Sequence, residues 1–191
     1  MAKIIYPETE KSDTIGDLKI SVKKQDANAM DAIGRGATDG LKLAANVGAM
    51  LIAFISFITM VNFSLEYFFS TTVEELLSVI FQPIAWSMGI PWDEAKVMGR
   101  LMGEKIVLTE LIAYSNLGEI INNNEISERT AIIASYALCG FANFGSIGIQ
   151  LGGIGGIAPE RRKDLSKLAL KAMIGGALAS WLTATIAGIL I

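Results

Sequence analysis

The chain has 191 residues, 52% of them hydrophobic and 18% charged, with a mean hydropathy of +0.47 and a formal net charge of -3. That leaves too little charge to wet the surface of a soluble domain, and too small a net charge to imply a nucleic-acid partner. With no histidine and a single cysteine, Cys139, the commonest general base, a disulfide framework and a thiolate metal site are all excluded, and Cys139 reads as a small packed hydrophobe.

In chain order, residues 1–24 carry no apolar signal-peptide core, and residues 2–7 look like the tail of an element that begins earlier. Over residues 27–42, Met30, Ile33, Ala37 and Leu41 fall at helical spacing among Asp31, Arg35, Asp39 and Lys42, which predicts an amphipathic helix at a membrane surface. Residues 43–65 contain no charge and exceed the ~20 residues needed to cross a ~30 Å hydrocarbon core. Residues 76–92 are uncharged but interrupted by Pro83 and Pro91, so an interfacial or kinked helix is expected there.

Residues 106–117 are too short to cross and hold Glu110 in their middle, between Gly99 and Gly103 before and Gly118 after. This fits one or both arms of a re-entrant hairpin, tolerated at membrane depth where protein or a wet cavity covers it. Residues 131–158 form a second uncharged run, rich in glycine, and residues 172–191 a third. The expected fold is an all-α membrane protein. It has about three transmembrane helices, a re-entrant helical hairpin and interfacial amphipathic helices.

The expected organisation is a cytoplasmic segment and interfacial helix over 1–42, a scaffold span over 43–65, an outer interfacial region over 66–95, a hairpin over 96–129, and two spans over 130–191, the first partly unwound. Arg161, Arg162, Lys163, Lys167 and Lys171 between the last two spans, and the lysines of the N-terminal region, place both segments in the cytoplasm. The C-terminus then lies outside and the hairpin enters from the outer face, with Lys96, Arg100 and Lys105 counting against that placement.

Two features could carry chemistry. Placing Glu110 at mid-membrane costs about 2.5–3.5 kcal/mol on insertion scales, so such acids face a cavity, pair or relay ions; an interfacial, solvated Glu110 near Lys105 is the plain alternative. Asn143 and Ser146, three apart and flanked by Gly140 and Gly145, would share a helix face where the helix can open to a ligand. Ordinary packing of small and polar residues between helices explains the same pattern. The Gly152-Gly153-Ile154-Gly155-Gly156 run lacks the strand–turn–helix context of a nucleotide fingerprint and reads as the flexible end of a span. Trp86, Trp92 and Trp181 read as interface anchors. Broken helices with an acid and an amide near mid-membrane form the pattern of a secondary-transporter site, with no substrate specified.

The stretch from Ala137 through Gly140-Phe141-Ala142-Asn143-Phe144-Gly145-Ser146 to Gln150, then Gly152-Gly153 and Ala158-Pro159-Glu160-Arg161-Arg162, resembles the signature of concentrative nucleoside transporters. The piece from Gly103 through Thr109-Glu110-Leu111 to Tyr114 is similar to that family's second re-entrant hairpin, and Asn46-Val47-Gly48 and Pro7-Glu8-Thr9-Glu10 also fit. The resemblance implies cation-coupled nucleoside symport across the cytoplasmic membrane by alternating access. It implies ribose hydroxyls held by Glu110, Asn143 and Ser146, with Phe141 lining the site. It also implies a homotrimer and a coupling cation, sodium, whose contacts fall mostly in an N-terminal half with no match here. The chain accordingly reads as a C-terminal half, with a non-transporting fragment or partner-dependent half-subunit as the alternative. A membrane-bound enzyme is disfavoured by the missing histidine and metal set. One departure stands at the hairpin tip: the family usually has Asn-Glu-Phe where this chain has Thr109-Glu110-Leu111.

Overall fold

A computed structural model of the chain describes residues 1–9 and 27–191, and every regular element among them is helical. The elements are α1 (Ala2–Ile5), α2 (Ala29–Phe69), α3 (Val73–Ser87), α4 (Trp92–Val107), α5 (Glu110–Asn122), α6 (Glu128–Leu138), α7 (Phe144–Ile157), a 3-10 turn (Pro159–Arg161) and α8 (Arg162–Leu190). Lys11, Lys19, Lys23 and Lys24, which entered the orientation argument, lie outside the described residues.

Asn28 starts α2, its Oδ1 accepting from the Asp31 amide at 3.0 Å, and Ser70 ends it with φ 52° and its N–H on the Glu66 carbonyl. No proline interrupts the interval, and charged side chains do not break a backbone ladder. The interfacial helix expected over 27–42 and the span expected over 43–65 are therefore one continuous rod of 41 residues. At 1.5 Å per residue it is about 60 Å long, roughly twice a bilayer's hydrocarbon thickness. Its apolar side chains stand largely uncovered, with Ile52, Phe63 and Tyr67 at 70%, 71% and 77% exposure.

Asn62 ties the end of α2 to the start of α3: its Oδ1 accepts from the Val73 amide and its Nδ2 donates to Glu74 Oε2, both at 2.9 Å. Thr72 and Glu75 complete a capping box, and α3 continues through Pro83 to Ser87. Gly89 at φ 96° and Pro91 then turn the chain, so Trp92 opens α4. The single kinked helix expected over 76–92 is thus the end of α3 plus this turn.

The core forms where α3 and α4 lie side by side and α6 and α8 close over them. Gly99 and Gly103 permit the first contact: a Cβ on Gly99 would stand 2.5 Å from the Ser78 carbonyl oxygen, and one on Gly103 3.1 Å from Leu77 Cβ. Met98, Leu101, Met102, Ile133 and Leu138 fill the interior. Trp181 belongs there too, at 8% exposure and 5.5 Å from Phe81, and is a core residue instead of the interface anchor expected. Trp86 and Trp92 are exposed and meet edge to face at 6.2 Å.

α4 and α5 fold back on one another around Leu108 and Thr109. The hairpin expected over 96–129, with a short apolar piece at 106–117, has arms Trp92–Val107 and Glu110–Asn122. Glu104, 3% exposed, braces them by accepting from Arg100 Nε at 3.1 Å and Asn116 Nδ2 at 2.8 Å.

The span expected over 131–158 is two pieces, α6 of 11 residues and α7 of 14, each too short to cross ~30 Å. Residues 152–156, expected as a flexible end, are helical within α7. The helix expected over 172–191 starts at Arg162, so Lys163, Lys167 and Lys171 ride on its first turns. Among the described residues two stretches, Ala29–Phe69 and Pro159–Leu190, are long and apolar enough to cross a bilayer by length and composition.

Candidate substrate site at two helix breaks

Each break opens into a helix N-terminus. At the hairpin tip Thr109 is the N-cap of α5, its Oγ1 accepting from the Ile112 amide at 3.4 Å, so Glu110 is the first residue of α5 and not the middle of an apolar helix. In the second break Cys139 is extended and Gly140 takes φ 104°, a left-handed conformation that costs glycine little. Asn143 then caps α7: its Oδ1 accepts from the Ser146 amide at 2.7 Å, and Ser146 Oγ accepts from the Asn143 amide at 3.3 Å.

The two breaks meet. Asn143 Nδ2 donates to Glu110 Oε2 at 2.8 Å, which joins the start of α7 to the start of α5. Partial positive charge gathers at helix N-termini, so two such ends converge on one carboxylate. The matching C-terminal ends gather donors. Lys105 Nζ donates to the Ala137 carbonyl at 2.9 Å and the Cys139 carbonyl at 3.3 Å. Tyr114 donates to the Ser135 carbonyl and Ser180 to the Cys139 carbonyl, each at 2.6 Å. These are carbonyls that the end of α6 leaves without helical partners.

Asn143 and Ser146 are both 3% exposed and Glu110 is half-buried. The Ser146 hydroxyl is committed to the Asn143 backbone, donating to its carbonyl at 2.6 Å. Glu110 retains further acceptor capacity on two oxygens. Leu111 and Phe141 flank the pair, 77% and 73% exposed. The arrangement can accept hydrogen bonds from hydroxyl groups next to exposed apolar side chains. Cys139, expected to pack as a hydrophobe, is exposed, and it is its carbonyl that the neighbouring helices use.

Lys105, Tyr114 and Ser180 hold this break together and were not among the site residues expected from sequence. The available signal was indirect: a helix opened after Gly140 releases carbonyls that need donors from elsewhere. Two concavities lie apart from the pair. One of about 530 Å³ separates α1 from α8 beside Tyr6 and Lys171, and one of about 680 Å³ separates α2 from α7 beside Asp39, Asn46 and Gln150. Among the described residues no three carboxylate or thiol side chains meet in a way that could hold a metal ion.

Comparison with known proteins gives the family. Residues 1–188 match the family model described as "Na+ dependent nucleoside transporter C-terminus". The chain is 48% identical to the uncharacterized transporter YutK of Bacillus subtilis, over 99% of this chain and 48% of that protein. It is 38% identical to the nucleoside permease NupC of Helicobacter pylori, over 100% of this chain and 47% of that one. A solved structure of a CNTnw variant in an intermediate state superposes with a TM-score of 0.87 at 37% identity, over 99% of this chain and 47% of the other. The chain spans about half the length of these relatives. It belongs to the sodium-dependent nucleoside transporter family, and the part of that family it matches is the C-terminal region.

Proposed function

We propose that the chain supplies the ribose-binding half of a nucleoside transporter, with Glu110 and Asn143 as the groups that engage the ribose hydroxyls. The observation that carries this reading is the 2.8 Å bond between Asn143 Nδ2 and Glu110 Oε2, made where α5 and α7 begin. An arriving ribose exchanges that bond for its own hydroxyls: the carboxylate accepts from one, and the amide donates to another. Ser146 contributes by holding the Asn143 cap, and Phe141 offers an apolar surface beside the sugar. Thr109 preserves the tip despite the departure from Asn-Glu-Phe, because threonine and asparagine are both effective N-caps.

Transport then proceeds by alternating access in the cytoplasmic membrane, coupled to a cation gradient, with sodium the ion that the family description favours. The α4–α5 hairpin and α6–α8 form the moving unit, because Asn143, Lys105 and Tyr114 bond them together. The long, uncovered α2 serves as scaffold, packed in a homotrimer, and the C-terminus lies outside. Uridine uptake by Glu110→Gln and Asn143→Ala variants tests the site, with loss expected in both.

A further inference from the structure

Lys105 is wholly buried, at 0% exposure, yet ribose binding makes no use of it. A lysine taken out of water is retained only where acceptors compensate the lost hydration. Its acceptors are not carboxylates: Nζ donates to the Ala137 and Cys139 carbonyls at 2.9 and 3.3 Å. Both belong to the end of α6, where the chain leaves the helix. Lys105 also lies in the last turn of its own helix, α4. Two helix C-termini, each with partial negative charge, thus share one ammonium group.

Carbonyls released at the end of a discontinuous membrane helix are the groups that coordinate monovalent ions in secondary transporters. We infer that Lys105 is a tethered cation filling such a position, so that the break between α6 and α7 is held by the protein's own charge and not by an ion from solution. Ser180 shares the Cys139 carbonyl with Lys105 and Tyr114 satisfies the Ser135 carbonyl, at 2.6 Å each, which leaves Lys105 as the charged donor of the group. The tip lies between Lys105 and Glu110, so anchoring Lys105 to α6 fixes where Glu110 meets Asn143. Lys105 is in this sense a positioning residue, and it makes the Glu110–Asn143 contact independent of salt identity.

A space-filling lysine, or one needed only as a hydrogen-bond donor, predicts different behaviour. The test is the thermal midpoint of the full chain in lipid nanodiscs, for wild type, Lys105→Ala and Lys105→Gln, in sodium, ammonium or N-methylglucamine chloride at equal ionic strength. Wild type should melt at the same temperature in all three. Lys105→Ala should melt lower and regain part of the loss in sodium or ammonium but not in the bulky N-methylglucamine salt. Lys105→Gln, which fills the space and keeps a donor but no charge, should melt below wild type in every salt. A Lys105→Ala loss equal in all three salts would overturn the inference. If Lys105→Ala does not fold, Lys105→Gln decides, and a midpoint equal to wild type would overturn it. None of these readouts depends on nucleoside transport.

Discussion

Asn143 Nδ2 lies 2.8 Å from Glu110 Oε2, and that bond spans 33 residues of sequence to join two helix starts. Around it the helix ends sort by sign: α5 and α7 begin at the Glu110 carboxylate, while the Lys105 ammonium, carried on the last turn of α4, meets the C-terminal carbonyls of α6. Such sorting lowers the electrostatic cost of opening helices inside a protein. Each opened end has its partner.

If Glu110 and Asn143 engage the ribose, removing a hydroxyl from the ligand leaves one of them unpaired. An unsatisfied buried polar group costs about 1–3 kcal/mol, and 1.4 kcal/mol is about tenfold in affinity. In a full-length transporter carrying these residues, 2′-deoxyuridine should therefore compete with labelled uridine about five- to hundredfold less well than unlabelled uridine does. Equal competition would favour the reading in which Asn143 and Ser146 only cap a helix.

Glu94 links the hairpin to the start of α6, accepting from the Ser127 amide at 3.1 Å and the Ser127 hydroxyl at 2.9 Å. Partial burial pushes its carboxyl up, but the nearby Thr130 hydroxyl and the hydrogen bonds from Ser127 outweigh this and hold it below the ordinary carboxylate value of 4.5. A depressed carboxylate contributes stability above its unfolded pKa and loses that contribution as pH falls through the folded one. The thermal midpoint of wild type should consequently fall on acidification below that range by more than the midpoint of Glu94→Gln. Parallel curves would show that the Glu94–Ser127 contact adds nothing to stability.

Gly99→Ala should be the most damaging small substitution in the hairpin. Its Cβ would stand 2.5 Å from the Ser78 carbonyl oxygen and 3.0 Å from the Gln82 amide nitrogen, both rigid backbone atoms of α3. Overpacking of this kind costs about 1–3 kcal/mol. Gly118→Ala, with open space around its Cβ position, is the control and should leave the thermal midpoint near wild type. Equal behaviour of the two variants would refute the close approach of α3 and α4.

Much of the site was legible because the chemistry was local. Gly140, Asn143 and Gly145 within an uncharged run marked an opened helix, and the helix does open there. Glu110 stood out for its charge within residues 106–117, and the resemblance put Thr109-Glu110-Leu111 at a hairpin tip, where the two helices do meet. What the residues alone left unread was the capping role of Thr109, directly before Glu110, which starts α5. Lys105 was illegible for a different reason. A lysine carries no local sign of burial, and only the carbonyls freed 32 residues away make the buried position tolerable. The division of α2 into two segments failed because charge marks a change of surroundings, while the helix itself ends only where capping and backbone geometry end it.

Uridine binding and uptake by Glu110→Gln, in a full-length transporter carrying these residues, tests the ribose-site assignment most directly. Glutamine keeps the size of the side chain and can still turn an oxygen towards Asn143 Nδ2, so the fold and the amount of inserted protein should be unchanged. It removes the charge and one acceptor. Hydrogen bonds to charged groups contribute about 1.5–3 kcal/mol, so uridine affinity should fall about ten- to hundredfold and uptake should be lost. Near-normal uridine uptake at equal membrane abundance would contradict the assignment of Glu110 to the ribose.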